Sequence, residues 1–412
     1  MVDIIVVGGG AAGMIASIVA ARQGAEVLLL ERLNRVGKKL LVTGNGRCNL
    51  TNIEIEKRWY HTSGKADFSY PLNDLDATRT RIFFEELGIV PLIEGKKVYP
   101  LSEQASSVLD VLRMEMKHQG VKEQTDTHVI RLKQKEEVWE LTAEDGATYK
   151  APKVIWATGG LAGGLSFGCS EEGYMLLKPV GHSVIKPFPT LVHLVSNAPY
   201  CKMLKGTKIK AKAAIWIADK ERRKEYGEVL FTEDGLSGPP IFQLSRLAGE
   251  ASLKKQSCEV KLDLFPEEPL EDLVSKIYER IARHPERSIE ELFIGFLHKR
   301  LVLALMKYAE ITSIHRSCEG LEYEEIMRLV EGMKAFCFKI QGTRSFKHAQ
   351  ATAGGISIDE IDLETMASKK AKGLYLAGEV LDIDGDCGGF NLQWAWSSGY
   401  LAGLSASRKN EE

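Results

Sequence analysis

Gly8, Gly10 and Gly13 stand at a G-x-G-x-x-G spacing, and an acid, Glu31, closes the next apolar run. These residue types in this order point to capture of a dinucleotide. Gly8 permits a tight turn, Gly10 keeps a Cβ out of the path of a pyrophosphate, and Gly13 lets a helix lie close on a sheet. Glu31 is placed to accept hydrogen bonds from an adenosine ribose.

The elements that must position these residues follow from the apolar pattern. Asp3-Ile4-Ile5-Val6-Val7 is continuous and β-branched, as in a strand buried on both faces. A helix is expected over Met14–Gln23 with Ile15, Ile18 and Val19 inward, stopped by Gly24. Val27-Leu28-Leu29-Leu30 then makes a second buried strand. The helix N-terminus offers unpaired N–H groups and a positive dipole end to phosphate. A purely structural βαβ unit with a glycine-rich turn would explain these elements, but not the acid at their end.

Two later stretches repeat the theme. Val154-Ile155-Trp156-Ala157-Thr158-Gly159-Gly160 and Gly373-Leu374-Tyr375-Leu376-Ala377-Gly378-Glu379 are buried strands ending in small residues. Gly385 to Trp396 opens a C-terminal helix running to about Leu404, and Gly44-Asn45-Gly46-Arg47-Cys48-Asn49 reads as a loop shaped around a ligand. Thr352 to Ile356 precedes a turn.

Between them the texture changes. Helices are expected near Ala77–Leu87 and Glu103–Gln119, and a small antiparallel sheet over Val121–Tyr149 with its turn at Glu144-Asp145-Gly146. Val192–Ser196, Lys208–Ala218 and Glu228–Thr232 read as strands, with Asp219–Tyr226 a charged hairpin loop and Phe231–Pro240 a loop entering a short helix. Lys208, Lys210 and Lys212 alternate with Ile209, Ala211 and Ala213, which places the ammoniums on one face. A solvated face is the plainer reading of that alternation, and a basic substrate or RNA surface the sharper one. Pro269 to Met333 is helical, with apolar stripes at Leu270–Ile281, Leu292–Leu297 and Ile326–Met333, and is read as an insertion with no chemistry of its own.

The chain has 412 residues, 44% hydrophobic and 27% charged, with a net charge of −2, as in an ordinary soluble protein with room for two or three domains. That charge argues against a nucleic-acid partner by bulk electrostatics. No apolar run approaches bilayer length, and the first strand begins at once, so a cytoplasmic protein without a signal peptide is expected. Seven scattered cysteines with no CxxC suggest reduced thiols, with neither a disulfide framework nor a metal site. Cys48 and Cys387 both fall in glycine-rich loops, where two packed thiols are the plainer reading than a redox pair. His193 and His348 read as ordinary side chains, and no catalytic residue is defined. Oligomeric state is left open.

These blocks together resemble a known family, the bacterial FAD flavoproteins that include aminoacetone oxidase and the BaiN-type bile-acid reductases. The matching residues are Gly8–Gly13, Gly44–Asn49, Gly235-Leu236-Ser237-Gly238-Pro239, Thr352-Ala353-Gly354-Gly355 and Ala377–Gln393, spread over nearly the whole length. The resemblance implies an α/β fold: a Rossmann-like, glutathione-reductase-like FAD domain (1–190 and 350–412) interrupted by a β-barrel-like substrate domain (191–265 and 334–349) that carries a helical insertion (266–333). It implies FAD contacts at Gly8, Gly10, Ala11, Ala12 and Gly13 for the pyrophosphate, and at Glu31 and Arg32 for adenosine. Val129 would meet adenine through its backbone, with Ala157, Thr158 and Gly159 on the same side. Gly378 and Glu379 would lie by the ribityl chain, and Lys39 is counted among the contacts. Gly389, Phe390, Asn391 and Gln393 would start the helix facing the flavin ring, with Asn45, Gly46, Arg47, Cys48 and Asn49 at its other edge. The activity implied is hydride transfer through FAD to a small acceptor such as an activated C=C bond, with NADH or NADPH as a transient co-substrate, since no second G-x-G-x-x-G is present. An amine oxidase passing electrons to oxygen is the alternative; a non-catalytic, FAD-stabilised RNA-binding protein is a third.

Overall fold

The computed structural model describes residues 1–408. Contacts divide them into two compact units, one made of Met1–Pro189 and the chain from Phe346 onward, the other of Thr190–Ser345. Residues 346–349, expected with the barrel, pack in the first unit, where Gly163 N–H donates to the Phe346 carbonyl at 2.8 Å.

The first unit is built on a seven-stranded sheet in the order 361–362, 367–368, 374–376, 153–156, 4–7, 27–30, 122–124. Ile4–Val7 is paired in parallel on both sides, Ile4 with Val27 and with Lys153, and every one of its residues is buried. Lys122–Gln124 is the parallel edge strand beside Val27–Leu30 and not part of the antiparallel sheet expected from Val121. All three of its side chains are exposed, so backbone pairing and polar contacts such as Gln124 to Tyr149 hold it and no apolar signal marks it. The three-stranded antiparallel sheet is made of Val129–Lys135, Val138–Ala143 and Thr148–Ala151. Thr352–Ile356 lies within a strand, Ala351–Ile356, whose six residues are all buried.

Two helices converge on the centre of the sheet. The first, Ala11–Arg22, begins directly at Gly10, three residues earlier than its apolar pattern suggests. The C-terminal helix, Phe390–Ser407, lies against it with Gly399 and Gly403 facing its backbone. A Cβ on Gly399 would sit 2.4 Å from the Ala12 carbonyl oxygen, and one on Gly403 2.5 Å from that of Ala16. Small residues four apart thus let two helix backbones touch, as close helix packing requires.

The second unit is a closed six-stranded barrel in the order 194–196, 235–237, 220–232, 208–217, 258–263, 336–343. The stretch expected as a charged hairpin loop is strand: Lys220–Thr232 pairs with Lys208–Ile217 from Ile217↔Lys220 to Lys208↔Leu230. Only Ala218 and Asp219 turn, both at positive φ. The long register, not apolar alternation, fixes this strand. Gly235–Ser237 is a short barrel strand, and the helix that follows is long, Pro239–Leu253. Helices Leu270–Arg283, Lys299–Tyr308 and Tyr323–Lys334 share the barrel's apolar core. The expected stripe at Leu292–Leu297 is mostly not helix, because the segment Ile289–Leu292 ends at Phe293.

Candidate cofactor site

A cleft of about 860 Å³ in the first unit runs from Glu31, Arg32 and Val129 past Gly8 and Gly10 to Ala157, Thr158 and Gly159. A second hollow of about 770 Å³ shares Gly10, Lys39, Ala157 and Gly159 with it, so the two are continuous. This hollow extends along Ala11, Ala12, Gly378, Glu379 and the Asn391–Ala395 side of the C-terminal helix. Together they form an elongated groove with one helix N-terminus at its middle.

Its local construction follows from the sequence. The helix Ala11–Arg22 has no side-chain cap and no acid in its first turn, so its first N–H groups open toward the groove. A Cβ on Gly10 would meet no atom within 4 Å, while one on Gly13 would lie 1.9 Å from the Gly8 carbonyl oxygen. Gly10 therefore leaves space for a ligand, and Gly13 leaves space for the strand beneath the helix.

At one end Glu31 is buried, its Oε2 accepting the Gly9 N–H at 2.7 Å and its Oε1 the Leu33 N–H at 2.9 Å. Burial pushes its carboxyl above the ordinary range, against the opposing effect of the Leu33 and Gly9 amides. Arg32 lines this end, donating to Ser170 Oγ at 2.9 Å and pairing with Glu172 at 3.3 Å, which itself meets His128 at 2.9 Å. Thr158 Oγ1 is buried and has no hydrogen-bond partner, an acceptor and donor left for a ligand.

In the middle Lys39 pairs with Glu379 at 2.5 Å, and Glu379 also accepts the Thr352 N–H at 2.7 Å. Burial is the largest influence and would lower the Lys39 ammonium, but the charge and hydrogen bond of Glu379 together with Cys169 hold it above the usual lysine value. The Ala377-Gly378-Glu379 turn is held by the C-terminal helix: Gly378 N–H donates to Ser398 Oγ, and Trp394 Nε1–H to the Gly378 carbonyl.

Nine expected contacts do not line the groove: Gly13, Asn45, Gly46, Arg47, Cys48, Asn49, Gly389, Phe390 and Gln393. Most of them have protein neighbours of their own, while Asn49 Oδ1, like Thr158 Oγ1, is buried with no hydrogen-bond partner. Gln393 is fully buried, donating to the Leu75 carbonyl, Thr80 Oγ1 and Ser397 Oγ while Thr51 Oγ1 donates to its Oε1. Phe390 packs against Trp59 and Tyr60. A Cβ on Gly389 would lie 2.6 Å from Thr51 backbone, and Asn49 is buried beside it. Arg47 reaches away from the groove, stacked 4.1 Å above Tyr99 and paired with Glu94 at 2.7 Å and Glu103 at 3.1 Å. Burial pushes the Cys48 thiol up to about 12. The stretch expected as a loop is a 3-10 turn, Leu40–Gly46, broken at Thr43. Its groove-lining residues are Leu40 and Thr43, just ahead of the expected ones.

Sequence reading also missed Cys169, Gln350 and Trp394 as lining residues. Gln350 directly precedes Ala351–Ile356, and Cys169 follows the glycine-rich run after Gly159, so adjacency to known blocks was the available signal. Cys48 and Cys387 are both free thiols. His193 lies against Phe242 with ring centroids 5.5 Å apart.

The groove matches what FAD asks of a Rossmann domain: an open helix N-terminus, a buried acid at one end and an unpartnered buried hydroxyl. Comparison with known proteins agrees. The chain matches the family described as HI0933-like protein Rossmann domain over residues 2–405. It is 36% identical to a 3-dehydro-bile acid delta(4,6)-reductase of Clostridium scindens over 98% of both chains. It is also 30% identical to a ribosomal RNA dihydrouridine synthase of Escherichia coli, over 97% of this chain and 96% of that one. Among solved structures, a 3-ketosteroid-delta4-(5alpha)-dehydrogenase of Rhodococcus jostii matches at 14% identity and a TM-score of 0.48, over 99% of this chain and 97% of the other. By the family match over residues 2–405 and the 36% identity to the reductase, the chain belongs to the HI0933-like Rossmann family and is an FAD-dependent oxidoreductase.

Proposed function

We propose that this enzyme reduces a carbon–carbon double bond conjugated to a carbonyl in a small, steroid-like acceptor, with NADH or NADPH as donor. The observation that carries this reading is the full-length 36% identity to a delta(4,6)-reductase. FAD would supply two-electron hydride chemistry linking the nicotinamide to the conjugated double bond.

The protein's own contribution is to hold that cofactor. In this reading Gly10, Ala11 and Ala12 present backbone N–H groups to the pyrophosphate, and Glu31 accepts from the ribose. Val129 meets adenine, Ala157 and Gly159 form the opposite wall, and Thr158 Oγ1 gains the partner it lacks. Lys39 neutralises Glu379 beside the ribityl chain, so the anionic cofactor is not met by a bare buried carboxylate. The first turns of helix Phe390–Ser407 would lie beside the ring through the Asn391–Ala395 flank. Gly389, Phe390, Gln393 and the Asn45–Asn49 segment support that end from behind.

The test is anaerobic mixing of the yellow holoenzyme with NADH, NADPH or aminoacetone, followed by a 3-oxo-Δ4 steroid. Bleaching by a nicotinamide and recolouring by the enone are expected. Bleaching by the amine alone, with recolouring by oxygen, would overturn the proposal in favour of an amine oxidase.

A second reading is favoured by one specific observation, the 30% and 27% identity to ribosomal RNA dihydrouridine synthases over nearly the whole chain. Uracil also carries a C=C bond conjugated to a carbonyl, so the same chemistry would serve. Loss of dihydrouridine from ribosomal RNA in a strain lacking this chain is its test.

A further inference from the structure

Between Lys202 and Lys224 there are nine lysines and arginines against two acids, Asp219 and Glu221, in a chain whose overall charge is −2. The barrel folds this run into the pair of strands Lys208–Ile217 and Lys220–Thr232 and the segment leading into them. Lys202, Lys205, Lys208, Lys210, Lys220, Arg222 and Lys224 are exposed. Lys205, Lys208 and Lys224 are paired with Glu233, Glu228 and Glu221. Among the described residues Lys202, Lys210, Lys212, Lys220 and Arg222 have no ion-pair partner.

Aromatic rings sit among these cations. Inward-facing Ala211, Ala213 and Ile215 are buried, so Lys210, Lys212 and Trp216 share the outer face. Tyr226 is the cross-strand partner of Lys212 and is 62% exposed. Lys261 from the neighbouring strand lies 4.0 Å above the Trp216 ring.

We propose that this outer face of the barrel is an RNA-binding surface, its unpaired cations meeting phosphates and Tyr226 offering a ring to an unstacked base. The inference rests on the second functional reading above. The physical ground is that cations spaced along a strand and interleaved with an exposed aromatic are how proteins track a single-stranded polyanion. Cations held by neighbouring carboxylates would gain little from phosphate; five that are not so held release counterions on contact. An anionic membrane fits less well, because the hairpin tip is Ala218-Asp219 with Lys220, which offers no apolar wedge to the acyl region.

The experiment uses the full-length holoenzyme and a fluorescein-labelled single-stranded oligouridylate, titrated over a range of salt. Wild type should bind with an affinity that falls steeply with salt. The triple variant K210E/K212E/R222E should bind at least about tenfold more weakly, with a log–log salt slope flatter by about 2. Y226A should weaken binding about fivefold or more while leaving the slope unchanged. Flavin absorbance and reduction rate should be those of wild type in both, which establishes that they fold. Unchanged affinity and slope in the triple variant would overturn the proposal, as would wild type that ignores the oligonucleotide but is retained by phosphatidylglycerol vesicles. If deletion leaves ribosomal dihydrouridine intact while the variants lose oligouridylate as described, the surface stands and the uridine substrate falls.

Discussion

Two helices of the first unit begin at a glycine, and the two glycines do opposite work. Gly10 opens onto empty groove, with no atom within 4 Å of where a Cβ would be. Gly389 caps the C-terminal helix at φ +99 with Thr51 and Asn49 against it, and Gln393 one turn on is hydrogen-bonded on both sides. The first helix therefore presents its N-terminus to a ligand. The second is sealed at its tip and offers the groove only one flank, Asn391 to Ala395. A glycine-led helix in sequence thus specifies a close approach without saying whether the neighbour is a cofactor or the protein itself.

The sharpest way to break this comparison is to add one methyl group at each glycine. Gly389→Ala should abolish soluble folded protein, since it combines positive-φ strain with overlap on Thr51. Gly10→Ala should keep the circular dichroism and melting temperature of the apoprotein but lose about tenfold or more in FAD affinity, read by fluorescence quenching. If both variants fold and bind FAD equally, the distinction is wrong.

Next in size, Gln393→Leu leaves the Thr51 hydroxyl and the Thr80 and Ser397 groups without their buried partner. It should cost about 3 kcal/mol or more in urea unfolding. Asn391→Leu, at the groove flank, should instead shift the flavin absorption bands with a smaller stability loss.

A pH series sharpens the middle of the groove. The folded Lys39 ammonium lies above its ordinary 10.5 because the charge and hydrogen bond of Glu379, with Cys169, together outweigh burial. Its contribution is therefore fully present below pH 10.5 and is lost as pH rises through the higher folded value. The melting-temperature gap between wild type and Lys39→Met should stay constant from neutral pH to about 10 and close above it.

The smallest effect is expected at Cys48. Its thiol, raised to about 12, should resist alkylation at pH 8 in the native protein. Cys48→Ala should leave the rate of flavin reduction unchanged, which removes any redox pairing with Cys387.

Legibility differed between regions for physical reasons. The strand Ile4–Val7, the turn at Gly8 and the acid at Glu31 form one local unit, so spacing along the chain reports their positions in space. The Asn45–Asn49 block, expected at the ring, lies outside the two hollows that form the groove, where Arg47 is drawn to Glu94, Glu103 and Tyr99. Gln350 and Trp394 reach the groove only through the packing of distant segments. The edge strand Lys122–Gln124 and the charged strand Lys220–Thr232 were missed because neither shows apolar alternation at the residues that pair.

Alone, the sequence determined the dinucleotide-binding unit, the family and the interruption of its Rossmann domain by a barrel. Those properties reside in short blocks where backbone geometry demands particular residue types. Tertiary structure decided which glycines face the groove and which face protein, and that Lys210, Lys212 and Lys224 lie on one barrel face with Tyr226. Those outcomes depend on what a second, distant segment places within a few ångströms, and spacing within one segment does not encode it.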